Sequence, residues 1–182
     1  MNSFYSQDEL SKLGLNIYGN NVLISRKCSI YGAKNISIGN NVRIDDFCLL
    51  SGTIKIGNYV HISAYSALYG AGEIRIGNFC GVSPRSTIFS ASDDFSGEYM
   101  ISPLVLDELT NVEKATVVME DYSQLGANTV VLPGTTIHEG AVTGACTLIK
   151  SDLDAWTINI GSPAKKLKNR SNKIKDLSKT LL

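Results

Sequence analysis

Three segments repeat one alternation of apolar and polar positions: "ISIGNNVRI" at Ile36–Ile44, "IKIGNYVHI" at Ile54–Ile62 and "IRIGNFCGV" at Ile74–Val82. Take the aliphatic residue before each Gly as the reference. Steps of six then lead from Ile38 to Ile44 and Leu50, from Ile56 to Ile62 and Leu68, and from Ile76 to Val82 and Ile88. Ile24, Ile30 and Ile36 are in step, and after a break the phase returns at Met119, Leu125, Val131, Ile137, Thr143 and Ile149. An amphipathic helix would repeat every 3.6 residues and a half-buried strand every 2. A period of six fits a chain that makes a short strand, turns a corner and makes another, three hexads closing one coil of about 18 residues.

A second column has the same period two residues earlier: Val22, Cys28, Val42, Cys48, Val60, Ser66, Cys80, Ser86, Ser123, Thr129, Thr135, Ala141 and Thr147. One large and one small inward side chain per strand would fill a narrow triangular core. Burying each Ile or Leu contributes roughly 1.5–3 kcal/mol before entropy is counted. The Gly-Asn pairs Gly39–Asn40, Gly57–Asn58 and Gly77–Asn78, with Asn20 and Asn21, are predicted to turn corners, as residues tolerant of positive φ. The architecture expected is an all-β solenoid, its coils roughly 4.8 Å apart.

The remaining segments lack the period. Residues 1–14 are predicted as an N-terminal unit with a short helix at Ser6–Gly14, opened by a Ser6/Glu9 capping box and closed by Gly14. Residues 15–162 form the β-coil domain, interrupted by an irregular loop at 89–114, and long irregular insertions in compact domains usually carry function. Residues 163–182 read as a basic tail ending in a helix that Ser171 would cap.

Composition narrows the classes. Seventeen Lys and Arg balance seventeen Asp and Glu, so no global field draws the chain to nucleic acid or an anionic membrane. No apolar run approaches the roughly 20 residues of a membrane span, and the polar, acidic "MNSFYSQDEL" is unlike a secretory signal, which points to the cytoplasm. Three of the four Cys lie in the small inward column and none has CxxC spacing, so packing in a reducing compartment is expected rather than metal binding.

The hexads, the interrupting loop, "LGANTVVLPGTTI" and the closing "GSPAKKLKNR" together resemble the hexapeptide-repeat acyltransferases, over about residues 15–170. The group approached is that of sugar O- and N-acetyltransferases, such as the galactoside and maltose enzymes and those of bacterial surface polysaccharide (O-antigen) pathways. The resemblance implies a left-handed parallel β-helix, a homotrimer with active sites between subunits, and acetyl-CoA as co-substrate without a metal. The left hand comes from the resemblance alone, since ordinary parallel crossovers are right-handed.

The family's galactoside and maltose enzymes place a catalytic His in the interrupting loop; here "SASDDFSGEY" has none, and Asp93 and Asp94 fall about where it would lie, with Glu98 further along. A carboxylate of ordinary pKa near 4 is a weak base for a sugar hydroxyl but suits a cationic ammonium. The amine of a nucleotide-linked amino sugar is therefore the expected acceptor, with a sugar hydroxyl as the alternative. His61 points outward from its coil, in phase with Arg43 and Gln124. By resemblance His61 and Ser63 match acceptor-site positions, Asp45 is the next candidate in phase, and His61 is the alternative base. The resemblance assigns Gly126, Ala127, Gly144 and Ala145 to the pantetheine arm, and Lys165 and Lys166, with Lys168 beside them, to the cofactor phosphates. His138 falls at a corner and reads as a turn residue. A xenobiotic acetyltransferase fits less well for want of the loop His. A non-catalytic β-helix also fits less well. Mixed outward residues argue against ice binding, and two His are too few for a three-His metal site.

Overall fold

The structure, a computed structural model, describes residues 3–181. It is a parallel β-helix of three walls. The first wall stacks Val22–Ile24, Val42–Ile44, His61–Ile62, Gly81–Val82, Gln124–Leu125, Val142–Thr143 and Thr157–Ile160. The second carries Ser29–Tyr31, the first half of Leu49–Ile56, the first half of Ala67–Ile76, Thr87–Phe89, Val130–Val131 and Leu148–Ile149. The third carries Ile17–Tyr18, Ile36–Ile38, the second halves of those two long strands, Val117–Met119 and Thr136–Ile137. The period of six is a ladder register: Ile24, Ile44, Ile62, Val82 and Leu125 stack in the first wall. Ile30, Leu50, Leu68, Ile88, Val131 and Ile149 stack in the second.

Both predicted columns face inward. The large residues are buried apart from Ile30, which is half-buried, and every member of the small column is buried. Toward the C-terminal end the small column turns to Ser and Thr, whose hydroxyls bond backbone carbonyls: Ser86 Oγ donates to Gly126 O at 3.0 Å and Thr147 Oγ1 to Gly144 O at 2.9 Å. Among the described residues no buried side-chain nitrogen or oxygen lacks a partner, which removes the penalty of polar burial.

At the corners Asn21 has the expected positive φ, but the Gly-Asn pairs differ from the expectation. Positive φ falls one residue after the Gly-Asn pair, at Asn41, Tyr59 and Phe79, and also at Tyr122 and Trp156. The glycines serve close approach instead: a Cβ on Gly57 would lie 2.8 Å from the backbone of Gly77. The asparagines rivet the coils, Asn40 N–H donating to Asn58 Oδ1 at 2.7 Å and Asn58 N–H to Asn78 Oδ1 at 2.8 Å. The left-handed aromatic residues stack, Tyr59 on Phe79 at 4.8 Å and Phe79 on Tyr122 at 5.2 Å. Such stacking contributes about 0.5–1.5 kcal/mol per pair and offsets backbone strain of about 1–2 kcal/mol.

The capping box forms, but the helix spans only Gln7–Leu10 and unwinds through i→i+3 bonds before Gly14. A helix this short has little intrinsic stability; fully buried Leu10 holds it over the open end of the core. The basic tail is not simply a tail. Lys165–Asn169 is a strand folded back antiparallel on Thr157–Ile160, and only Ile174–Ser178 is helical. Ser171 does not cap this helix: Lys173 holds the N-cap position without a side-chain cap, and Ser171 Oγ accepts only from Lys173 N–H at 3.3 Å, while Ser178 Oγ meets Tyr122 OH at 2.8 Å, docking the helix on the aromatic ladder.

Candidate active site

The corner between the first and second walls presents one residue per coil: Asp45, Ser63, Ser83, Gly126 and Gly144, each following an inward ladder residue. Beside it on the first wall runs the outward row Arg43, His61, Gly81, Gln124 and Val142. The two rows form a strip whose character changes along the helix axis.

At one end, Asp45 bridges Arg43 and His61. Its Oδ1 accepts from Arg43 Nε at 2.7 Å and its Oδ2 lies 2.8 Å from His61 Nε2. Partial burial pushes the Asp45 carboxyl up, but hydrogen bonds from Arg43 and His61, with their charges, outweigh it and hold the group below the usual carboxylate range. Asp45, held by Arg43, fixes the orientation of the His61 ring. Mid-strip, Gln124 Nε2 donates to Ser83 Oγ at 3.2 Å over the bare backbone of Gly81.

Beyond lies the glycine floor. A Cβ on Gly126 would sit 2.5 Å from the Gly144 carbonyl carbon, so the next coil's backbone excludes a side chain there. Ala127 and Ala145 continue this floor one residue on, Cys146 N–H donating to Ala127 O at 2.8 Å. At the far end Ile160 packs under Gly144 and pairs with Lys165. Opposite residues of an antiparallel ladder share a face. Lys165 and Lys168, opposite Ile160 and Ile158, thus share the outer face, while Lys166, opposite buried Asn159, projects from the other side. Among the described residues none of the three lysines is ion-paired, so their charge is available to an anion. From Ser83 to Ile160 is three coils, roughly 14 Å at ~4.8 Å each.

The loop residues stand apart. Ala91–Ser92 pairs antiparallel with Glu113–Lys114, making a neck from which the loop leaves the corner between the second and third walls. Asp93, Asp94 and Glu98 are therefore a wall's width from the strip within one chain, roughly 15–20 Å at ~3.3 Å per residue. The two aspartates separate. Asp94 Oδ1 accepts from Ser96 N–H at 2.7 Å and Oδ2 from Asn111 Nδ2 at 2.8 Å, tying the loop together. Hydrogen bonds from Ser96, hydroxyl and backbone, and from Asn111 hold its carboxyl below the usual range. Asp93 is exposed and lines two cavities, of about 650 and 260 Å³, one on each side of it. Glu98 is exposed, its N–H donating to Ser96 Oγ at 3.1 Å. His138, the other His, meets Glu120 at 3.2 Å, away from the strip.

Sequence reasoning missed Ser83. Its signal was present: it follows Val82 as Ser63 follows Ile62 and Gly126 follows Leu125.

A β-helix of hexads with a glycine-floored, cation-ended strip and a loop at the adjoining edge defines the class: the chain belongs to the hexapeptide-repeat acyltransferases. No protein-family model matches the chain. It is 42% identical over 178 residues, covering 96% of this chain and 93% of the relative, to a dTDP-4-amino-4,6-dideoxy-D-glucose acyltransferase of Escherichia coli. It superposes with a TM-score of 0.97 on a variant of AntD, an N-acyltransferase of Bacillus cereus crystallised with dTDP-4-amino-4,6-dideoxyglucose and coenzyme A. That match has 45% identity and covers 100% of this chain and 97% of the other. A hexapeptide-repeat acetyltransferase of Vibrio cholerae with bound acetyl coenzyme A shares the fold at 20% identity, with a TM-score of 0.63 over 94% of this chain and 81% of the other.

Proposed function

We propose that the protein transfers an acyl group from a CoA thioester to the amine of a nucleotide-linked amino sugar, of the dTDP-4-amino-4,6-dideoxyhexose type. The observation that carries this is near-complete likeness, 45% identity at a TM-score of 0.97, to an N-acyltransferase crystallised with both such a sugar and CoA. A loop with carboxylates and no His agrees with a cationic acceptor.

The pantetheine arm lies along Gly126, Ala127, Gly144 and Ala145, and Lys165 and Lys168 meet the phosphates. Asp93 holds the sugar ammonium. His61, set by Asp45, takes the proton that leaves the nitrogen. The freed lone pair attacks the thioester carbonyl, the C–S bond breaks, and the departing thiolate takes up a proton as the amide forms. Orientation of this kind contributes several kcal/mol and a positioned base 10²–10⁴-fold. Other crystals of AntD carry variants at one serine and one aspartate; Ser83 and Asp93 are the residues we assign to those types, with Arg43, Ser63 and Gln124 as acceptor contacts.

Because loop and strip lie on opposite edges of one wall, a working site requires a second copy, whose loop reaches the strip; a homotrimer satisfies this at three corners. No helix among the described residues is long and apolar enough to cross a membrane, which agrees with a cytoplasmic enzyme that draws on cellular CoA. An acylated nucleotide sugar is a glycosyl donor, so we place the product upstream of polysaccharide assembly.

The test is incubation with acetyl-CoA and dTDP-4-amino-4,6-dideoxyglucose, following thiol release and amide formation by mass. Turnover with the amino sugar and none with its 4-hydroxy counterpart is expected. Turnover on hydroxyl acceptors alone would replace this reading with O-acetylation.

A further inference from the structure

The smaller cavity beside Asp93 has a different lining from the larger. Its walls are Phe89, Ala91, Phe95, Leu132 and Pro133, with Ser92 and Asp93 at the rim. Phe89 and Leu132 follow Ile88 and Val131, which pair directly, so both project from adjacent coils at the corner where the loop leaves. Its polar rim is shared with the larger cavity, which also carries Ser102, Asp107 and Thr110 and suits a hydroxylated sugar. The volume of about 260 Å³ would hold roughly eight waters at ~30 Å³ each. That exceeds what a two-carbon acetyl group fills, and an apolar wall offers acetyl little contact.

We infer that this cavity is an acyl-chain pocket and that the donor is a CoA thioester longer than acetyl. This rests on the function proposed above and deepens it. The thioester carbonyl sits at the Asp93 rim beside the amine, and the alkyl end points inward against Phe89, Leu132 and Pro133. Ser92 at the rim is placed to bond a hydroxyl on the chain near the carbonyl. An acyl group of that kind is present in the AntD crystal that holds 3-hydroxybutyryl-CoA. Leu132, which is half-buried, is the residue that sets chain length.

The experiment measures kcat/KM for acetyl-, butyryl-, 3-hydroxybutyryl- and hexanoyl-CoA with a saturating amino sugar, for the wild type, Leu132→Trp and Leu132→Ala. The wild type is expected to prefer a four-carbon donor to acetyl by tenfold or more, since one methylene in an apolar pocket is worth about 10–200-fold. Leu132→Trp should lower the four-carbon to two-carbon ratio at least tenfold, and Leu132→Ala should shift the optimum toward hexanoyl. A folding defect lowers every donor alike and leaves these ratios fixed, so opposite shifts identify the pocket. Acetyl preference in the wild type, or ratios that ignore Leu132, would overturn the inference while leaving amino-sugar acylation standing. Absence of transfer from every donor would remove both.

Discussion

The placement of the lysines on the last strand makes a discriminating prediction. Lys165 and Lys168 share the outer face with Ile160 and Ile158, and Lys166 does not. If that face carries the CoA phosphates, Lys165→Glu removes one attraction and adds one repulsion. At about 4 Å in a water-like dielectric each term is about 1 kcal/mol, so the single reversal costs about 2 kcal/mol, or about 30-fold in Kd. Reversing Lys165 and Lys168 together costs about 4 kcal/mol before screening. All three lysines are exposed, so the fold should survive each change. The assay is calorimetric titration of CoA at 0.1 M and 1 M salt. Lys165→Glu should weaken binding about 30-fold at low salt and far less at high salt, where the Debye length falls to about 3 Å. Lys166→Glu should weaken it only a few-fold. Equal losses at Lys165 and Lys166, or no loss at either, would refute the assignment of faces.

Four further outcomes follow from the same geometry. Gly126→Ala places a methyl 2.5 Å from the Gly144 carbonyl carbon; this overpacking should cost about 1–3 kcal/mol and lower Tm by about 2–12 °C in a calorimetric scan. His61→Asn should lower kcat by 10²–10⁴ with CoA affinity retained; a loss under threefold would make His61 an acceptor contact rather than the base. Asp45 has a folded pKa below its unfolded one, so its contribution is present above the unfolded value near 3.9 and lost as pH falls through the folded value. Acid-unfolding curves should therefore be shallower for Asp45→Asn than for the wild type below about pH 4. Burial pushes the Cys28 thiol up to about 12 and those of Cys48 and Cys80 up to about 11, while Cys146 is exposed. A thiol reagent at pH 8 should titrate one group in the native protein and four after denaturation.

Much of this molecule could be read along its chain. The hexads give the coil, both inward columns, the break at the loop and the phase of His61, Gly126 and Gly144, because in a β-helix neighbours in space lie at near-constant sequence separation. A period in one dimension is then a contact map, and even the unremarked Ser83 was implied by it. The corners show where that reasoning stops. Gly57 and Asn58 were legible as turn residues, but whether they serve φ, close approach or riveting depends on how nearly the next coil's backbone approaches. The tail shows the same limit: Lys165–Asn169 looks like a solvated basic run, and only the open edge of Thr157–Ile160 makes it a strand and sorts its lysines between two faces. Asp93 and Asp94 are adjacent in sequence, and only Asn111, which reaches Asp94 across the folded loop, shows which of the two is tied into it. The sequence by itself determined what repeats. Tertiary structure decided what does not, since an aperiodic loop, a chain end and a crevice edge take their conformations from contacts at separations that no local pattern encodes.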